Sequence, residues 1–538
     1  MSPRRWLSLL GLLALILAPA LACNLPQRES LGFPTAAFPS ATPSLDLLPF
    51  ASPTPPGAAT STPGLLAITE TPLPPAPTPY PFWSLQTATP GPGLPGQWST
   101  PVPEVSLPPL TYFVQPGDTL QALAARFAVL PEQISPSQPA ASLLEPGLPL
   151  SIPDLLGPAP YPSAALPDSL VVYSPAVADF DIQGYIAQAG GYLSSYSETV
   201  EPAELVTGVQ IVRRVALETS INPQLLLAFL EYRSGWVRGQ PVATADLAHP
   251  IGFYVPDYTG LYLELSLVAK QLNLGYYGWR AGTLVELVFP DGAHVRISPS
   301  LNAGSAAVQT LTSKFYRQQS DWLQSVYGPR GLLKLYSEMF GDPWQAAAAV
   351  EPLFPAGVAQ PALELPFQPG ERWSLTSGPH ITWTTGTPRG ALDFAPITGE
   401  PPCAISVAWV TASAPGLVVR TERSVVAIDL DGDGLEQTGW VLVYMHIAEQ
   451  DRVALGDWVE VDDPLGHPSC EGGRTTGTHV HLARKYNGEW LAADSPLPMV
   501  LSGWTAHASP RPYEGTLERD GQIVTARPDG SSGSTIVR

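Results

Sequence analysis

GTHVHLARKYNG, residues 477–488, joins a His-x-His pair to a strand-and-turn pattern. Side chains alternate along an extended strand, so His479 and His481 fall on one face, about 7 Å apart along the backbone. Two imidazoles on one face can serve a single metal-centred site. Six of the eight histidines follow residue 375: His380, His446, His467, His479, His481 and His507. A His-x-His strand with a distant histidine and Asp393 carries the chemistry of metal ligation.

The runs flanking that stretch alternate with a period of two and are broken by turn residues: VVAIDLDGDG (425–434), GWVLVYMHIAEQ (439–450) and LGDWVEV (455–461). They predict an antiparallel, all-β C-terminal domain over residues 370–512. Asp429, Asp431 and Asp433 imitate the opening of a calcium loop, but the twelfth position is Trp440 rather than glutamate, so a DG hairpin turn is expected. A zinc hydrolase needs three protein ligands, an open position and a neighbouring group that exchanges protons. His380, Asp393, His446, His479 and His481 can fill those roles.

These motifs resemble the lysostaphin-type, LytM-like peptidoglycan endopeptidases, and more closely their β-lytic metalloendopeptidase branch. SGPH (377–380) stands ahead of ALDF (391–394), with thirteen positions from His380 to Asp393, and CEGGRTTGTHVH (470–481) supplies the Gly-rich approach. The commoner family arrangement puts a histidine four residues before the aspartate, where this chain has Arg389. The resemblance implies Zn²⁺ held by His380, Asp393 and His481, with His446 and His479 as the catalytic pair. Tyr444, two residues before His446 on the same expected strand face, is the candidate for transition-state support. His467 and His507 are expected in loops as non-ligands, and His249 and His294 in structural roles.

The chain has 538 residues with 63 prolines and 47 glycines, too long and too proline-rich for one globule, so a multidomain α+β protein is expected. Its formal charge of -20 argues against nucleic acid as a partner. Residues 1–23 read as an export signal: two arginines, an apolar run from Trp6 to Leu17, then Ala20-Leu21-Ala22-Cys23. That ending resembles a bacterial lipobox, implying lipid on Cys23 and a membrane-anchored lipoprotein outside the cytoplasm. Without lipidation the chain would be secreted. With Cys23 so used, Cys403 and Cys470 remain as one disulfide pair.

Residues 24–108 are rich in Pro, Thr and Ser with no helical or strand period, as in a solvated stalk reaching at most on the order of 250 Å. Residues 109–155, with LTYFVQPGDTLQALAARF and PGLPLSIP, resemble a LysM domain, a small βααβ unit. That likeness implies glycan binding beside the first turn, at Gly117, Asp118 and Thr119. Tyr112, Val114, Leu120, Leu123, Ala124, Phe127, Leu150 and Ile152 are its expected core.

Residues 165–352 carry helical periodicity and predict a mostly α-helical domain. INPQLLLAFLEYRSGW (221–236) loosely resembles the catalytic helix of lytic transglycosylases and goose-type lysozymes, but Arg233 stands where their acid would be and Glu231 lies on another face. A scaffold or lysozyme-like remnant is therefore expected. Residues 513–538 are expected as a hairpin and a disordered tail.

Taken together, these readings describe a surface-anchored zinc endopeptidase that cuts stem or bridge peptides of peptidoglycan while the LysM-like unit grips the glycan strands. The alternative is a non-catalytic peptidoglycan-binding protein or amidase activator with a decayed peptidase fold.

Overall fold

Strand β1 (Leu110–Phe113) pairs antiparallel with β2 (Pro149–Ile152) and both cover helix α1 (Leu120–Phe127). The helix starts where the Thr119 hydroxyl accepts the Ala122 N–H, satisfying one of the free donors of its first turn. Tyr112, Val114, Leu120, Leu123, Ala124, Phe127, Leu150 and Ile152 all pack into this unit's core. Among the described residues of this unit no second α-helix forms. Pro131–Gln133 makes a single 3₁₀ turn, because Pro131 and Pro136 bracket a run too short to close α-helical hydrogen bonds. The computed structural model describes residues 107–140, 142–200, 204–473 and 475–538, which fall in one unit of the chain. The segments expected as export signal, lipidated Cys23 and stalk, up to residue 106, lie outside the described residues.

The middle domain is mainly helical. Helix α2 (Gly208–Thr219) opens on a capping box formed by Thr207 and Gln210. Helix α3 (Pro223–Ser234) starts with proline and ends at Gly235 in the left-handed conformation that a glycine accepts. Helix α4 (Leu261–Arg280) is buried along most of its length and crosses α5 (Ala303–Ser313) closely. At Gly275 a β-carbon would sit 2.6 Å from the Ala307 Cα, so the crossing needs glycine. Among the described residues no helix is long and apolar enough to cross a membrane.

Arg280, the last residue of α4, ties three parts of the chain together. Its guanidinium donates to the Pro116 carbonyl of the small unit, to Asp168 of the middle domain at 2.9 Å and to Glu489 of the C-terminal domain at 2.7 Å. The small unit is also held by Arg126, whose Nε donates to the Trp279 carbonyl, and by Arg296, which donates to the Ala125 and Arg126 carbonyls.

The C-terminal domain is built on an antiparallel sheet. Its strands are β3 (Arg372–Ile381), β4 (Arg389–Pro396), β5 (Gly416–Arg420), β6 (Val425–Asp429), β7 (Trp440–Met445), β8 (Trp458–Val459), β9 (Val480–Tyr486), the short Glu489–Trp490 paired back on the end of β9 and, much later in the chain, Thr535–Val537. They run in the order β8-β5-β6-β7-β9-β4-β3, with Thr535–Val537 on the far edge. One face is core: Leu392, Phe394, Val426, Ile428, Leu442, Tyr444, Val480 and Leu482. Alternation sends Ala391, Asp393 and His481 to the other face. The tail therefore differs from the expectation of disorder: despite its Gly- and Ser-rich run, Thr-Ile-Val pairs with Arg372–Ser374 and buries Ile536.

Candidate active site

Three side chains from three neighbouring strands meet on the face opposite the core. His481 lies directly across from Asp393 in the β9–β4 ladder, and His380, near the end of β3, stands across from Ala391. Asp393 Oδ1 is 3.3 Å from His380 Nε2 and 3.2 Å from His481 Nδ1, and the two nitrogens are 3.1 Å apart. All three residues are buried.

The outer nitrogen of each ring fixes what the inner one offers. His380 Nδ1 faces the Gly378 carbonyl at 2.9 Å and His481 Nε2 faces the Thr382 carbonyl at 3.0 Å. A carbonyl only accepts, so those nitrogens carry the protons and His380 Nε2 and His481 Nδ1 turn bare lone pairs inward. Asp393 Oδ1 is buried and has no hydrogen-bond donor. Three electron-rich atoms thus converge with nothing between them to hold them together, which fits a divalent cation. Two imidazoles and one carboxylate are a zinc donor set that leaves a coordination position free.

Burial and the shared carboxylate set the electrostatics of the three groups. Burial would raise the Asp393 pKa, yet His380 and His479 beside it hold it well below the usual carboxylate range. Burial also lowers His481, while at His380 the same effect is outweighed by the Asp393 carboxylate, which leaves its pKa raised.

His446 and His479 stand next to this centre with ring centroids 4.5 Å apart. Both repeat the backbone device, since His446 Nδ1 meets the Glu471 carbonyl at 2.8 Å and His479 Nδ1 meets the Gly477 carbonyl at 2.7 Å. His479 Nε2 lies 3.7 Å from Asp393 Oδ2. Burial, then the neighbouring His479, pushes the His446 pKa down to about 3, so it is neutral at ordinary pH. A β-carbon at Gly473 would come within 3.1 Å of the His446 ring, so the Gly-rich approach makes room for it. The Cys403–Cys470 disulfide is formed beside that segment.

Tyr444 is not part of the site. Strand β7 ends at Met445, and His446 takes φ +66°, so the two-residue alternation that would align Tyr444 with His446 is broken. Tyr444 faces the core, wholly buried, and its hydroxyl accepts the Ser413 N–H. Met445, paired with His481, is the strand residue on the site's face.

Tyr513 is an aromatic residue of the site that sequence reading missed. Its ring stacks on His380 at 4.8 Å with an interplanar angle of 23°, half exposed at the rim. Its signal in the sequence is weak, a tyrosine in the proline-rich loop SPRPYE.

The proposed glycan contacts of the small unit have structural partners instead. Asp118 is 1% exposed, paired with Arg126 at 2.8 Å and accepting from the Tyr112 hydroxyl. Thr119 caps α1, and Gly117 abuts the Arg280 guanidinium. His507 lies in a strand, Trp504–Ala508, rather than a loop, and His467 is buried against Trp409. Asp429, Asp431 and Asp433 gather in the β6–β7 hairpin, where they accept backbone N–H groups of their own loop. In the helical domain, Glu231 accepts from the Val237 and Arg238 amides and Arg233 donates to the Ile251 carbonyl, so neither is free for acid catalysis.

Residues 164–353 match the family described as the LasA N-terminal domain. Over 366 residues the chain is 28% identical to Protease LasA of Pseudomonas aeruginosa PAO1, covering 63% of this chain and 78% of that protein, and it is equally similar to Protease LasA of strain UCBPP-PA14. Among solved structures, the M23 metalloprotease pseudoalterin from the deep sea is 24% identical, with 31% of this chain and 96% of that one covered and a TM-score of 0.27. The catalytic domain of lysostaphin from Staphylococcus simulans is 20% identical, covering 23% and 89%, with a TM-score of 0.17. The match to the LasA N-terminal domain thus covers the helical domain, and the alignment with Protease LasA extends beyond it.

Proposed function

We propose that the chain is a zinc metalloendopeptidase acting on the peptide cross-links of peptidoglycan. The observation that carries the reading is the buried Asp393 Oδ1, without a donor and flanked by two imidazole nitrogens whose protons point away. His380, Asp393 and His481 would hold the ion. When bound, zinc supplies a Lewis acid for the scissile carbonyl and makes hydroxide available near neutral pH.

The chain's own residues supply the proton handling. His446, neutral with Nδ1–H committed to Glu471, offers Nε2 as a proton acceptor in the space beside Asp393. His479, held the same way by Gly477, presents Nε2 toward the same space and can carry a proton or donate to a developing oxyanion. The Tyr513 ring walls the pocket on the His380 side.

The similarity to Protease LasA supports a protease. Peptidoglycan as substrate rests on the resemblance to the lysostaphin-type peptidases and to LysM. Glycan strands would be held by the exposed remainder of the small unit, and Cys23 would anchor the exported chain by lipid. The non-catalytic alternative is disfavoured because all five site residues are present and converge. The test is zinc content of the full chain together with digestion of purified cell walls. New amino termini released by a protein holding one zinc support the reading, whereas a chain that takes up no zinc and leaves walls intact refutes it.

A further inference from the structure

Arg389 touches none of the five site residues, yet it opens β4, the strand that carries Asp393. Along β4, Ala391 stands opposite His380 and Arg389 opposite Ile381, with a register irregularity between the two pairs. A guanidinium aimed straight at the metal ligands would oppose a bound cation. Instead Arg389 Nη1 turns to the loop 509–514, donating to the Ser509 carbonyl at 2.8 Å and the Pro510 carbonyl at 3.4 Å.

That loop needs an outside donor. It joins Trp504–Ala508 to Gly515–Arg519, and Pro510 and Pro512 have no N–H to contribute to it. Within it Tyr513 sits at φ +69°, a left-handed conformation unfavourable to an aromatic residue and kept only where contacts over-determine it. One such contact is the Gly378 N–H, which donates to the Tyr513 carbonyl at 2.8 Å. The approach is so close that a β-carbon on Gly378 would lie 2.7 Å from backbone atoms of Glu514 and Gly515. The carbonyl of the same Gly378 accepts from His380 Nδ1. One glycine therefore joins the loop to a metal ligand.

We propose that Arg389 is a positioning residue of the metal centre, whose guanidinium clamps the loop 509–514 so that Gly378 and the Tyr513 ring hold His380 in its ligating orientation. The inference rests on the reading of His380 as a metal ligand. Arg389 acts through the loop and touches neither metal nor substrate.

The experiment compares the full chain with R389M and R389K. Hydrogen exchange at the Gly378 and Ser509 amides reports the clamp, since Gly378 N bonds Tyr513 O and Ser509 N bonds Glu514 O at 3.3 Å. Chelator competition reports zinc affinity, and wall digestion gives kcat and KM. In R389M both amides should exchange about ten- to a hundredfold faster, the value of one charge-assisted hydrogen bond. Zinc affinity should fall about tenfold, with the loss of activity in kcat rather than KM. R389K, with a single-point donor, should lie between the two. Should R389M not fold, R389K alone must show the intermediate exchange and affinity. Wild-type exchange at both amides in R389M, or in R389K if only that folds, overturns the proposal. Altered exchange with unchanged zinc affinity overturns it too. Exchange needs neither metal nor substrate, so a chain that shows the clamp but neither binds zinc nor cuts walls would refute the functional reading and not the clamp.

Discussion

Replacing Tyr444 with phenylalanine separates a core role from a catalytic one. The ring is fully buried among Leu442, Val426 and Leu482, and its hydroxyl accepts the N–H of Ser413, itself without exposure. Burial pushes the phenol pKa up to about 12, so the group is a neutral hydroxyl at any working pH. Phenylalanine keeps the ring and opens no cavity larger than one oxygen. It leaves the Ser413 amide buried without an acceptor, which costs about 1–3 kcal/mol. Y444F should therefore lose about that much stability by urea unfolding of the full chain, with kcat and KM on purified walls unchanged below the transition. Transition-state support would give the reverse pattern. A hundredfold fall in turnover, about 2.7 kcal/mol of barrier, with an unmoved unfolding midpoint would refute the placement of Tyr444 in the core.

Three more outcomes follow from the same contacts. His481→Ala should abolish zinc binding, while His446→Ala should keep the metal and lose turnover, by metal analysis and wall digestion; a zinc-loaded H481A would undo the ligand assignment. Arg280→Met strands Asp168 and Glu489 as buried carboxylates, and loss of one partner of such a network costs about 3–5 kcal/mol, measurable by denaturant unfolding. The Glu489 pKa is raised by burial and by Asp168 against the pull of Arg280, so the folded chain holds this proton more tightly than the unfolded one. Its contribution is greatest below the ordinary carboxylate pKa and is lost as pH rises through the raised value; E489Q should flatten that slope above the ordinary carboxylate pKa, and an unchanged slope would count against it.

Periodicity made the larger parts of the chain legible. The alternation in β6, β7 and β9 placed an antiparallel sheet where it stands, and the parity of His479 and His481 brought both rings to one centre. Parity failed one residue past a strand end. His446 enters the left-handed region, so the side chain two positions back faces the core, a reversal that follows from a single φ value and leaves no mark in a pattern of apolar and polar letters. Tyr513 was invisible for a different reason. It reaches His380 through a loop closed by tertiary contacts, and the domain boundary drawn after residue 512 cut it from the site it walls. Asp118 was assigned to glycan binding by the likeness to LysM alone, whereas Arg126 and the Tyr112 hydroxyl draw it into the core.

The four imidazoles share one dependence that explains why the site reaches so far into the fold. Each is oriented by a backbone carbonyl: Gly378 for His380, Thr382 for His481, Glu471 for His446 and Gly477 for His479. A carbonyl is only as well placed as the chain that carries it. Thr382 opens the loop to β4, and Gly386 in that loop lies so close to α4 that a β-carbon there would be 2.9 Å from Lys270 O and Leu274 N. Glu471 follows the disulfide at Cys470, and its carboxylate accepts from the Ser424 hydroxyl and the Glu449 amide, which pins the segment to the sheet. The helical domain and the disulfide thus bear on the tautomers of the site histidines through the backbone carbonyls that orient them. In physical terms the helical domain braces the site from behind, because the loop packed on α4 carries the Thr382 carbonyl that sets which nitrogen of His481 is bare.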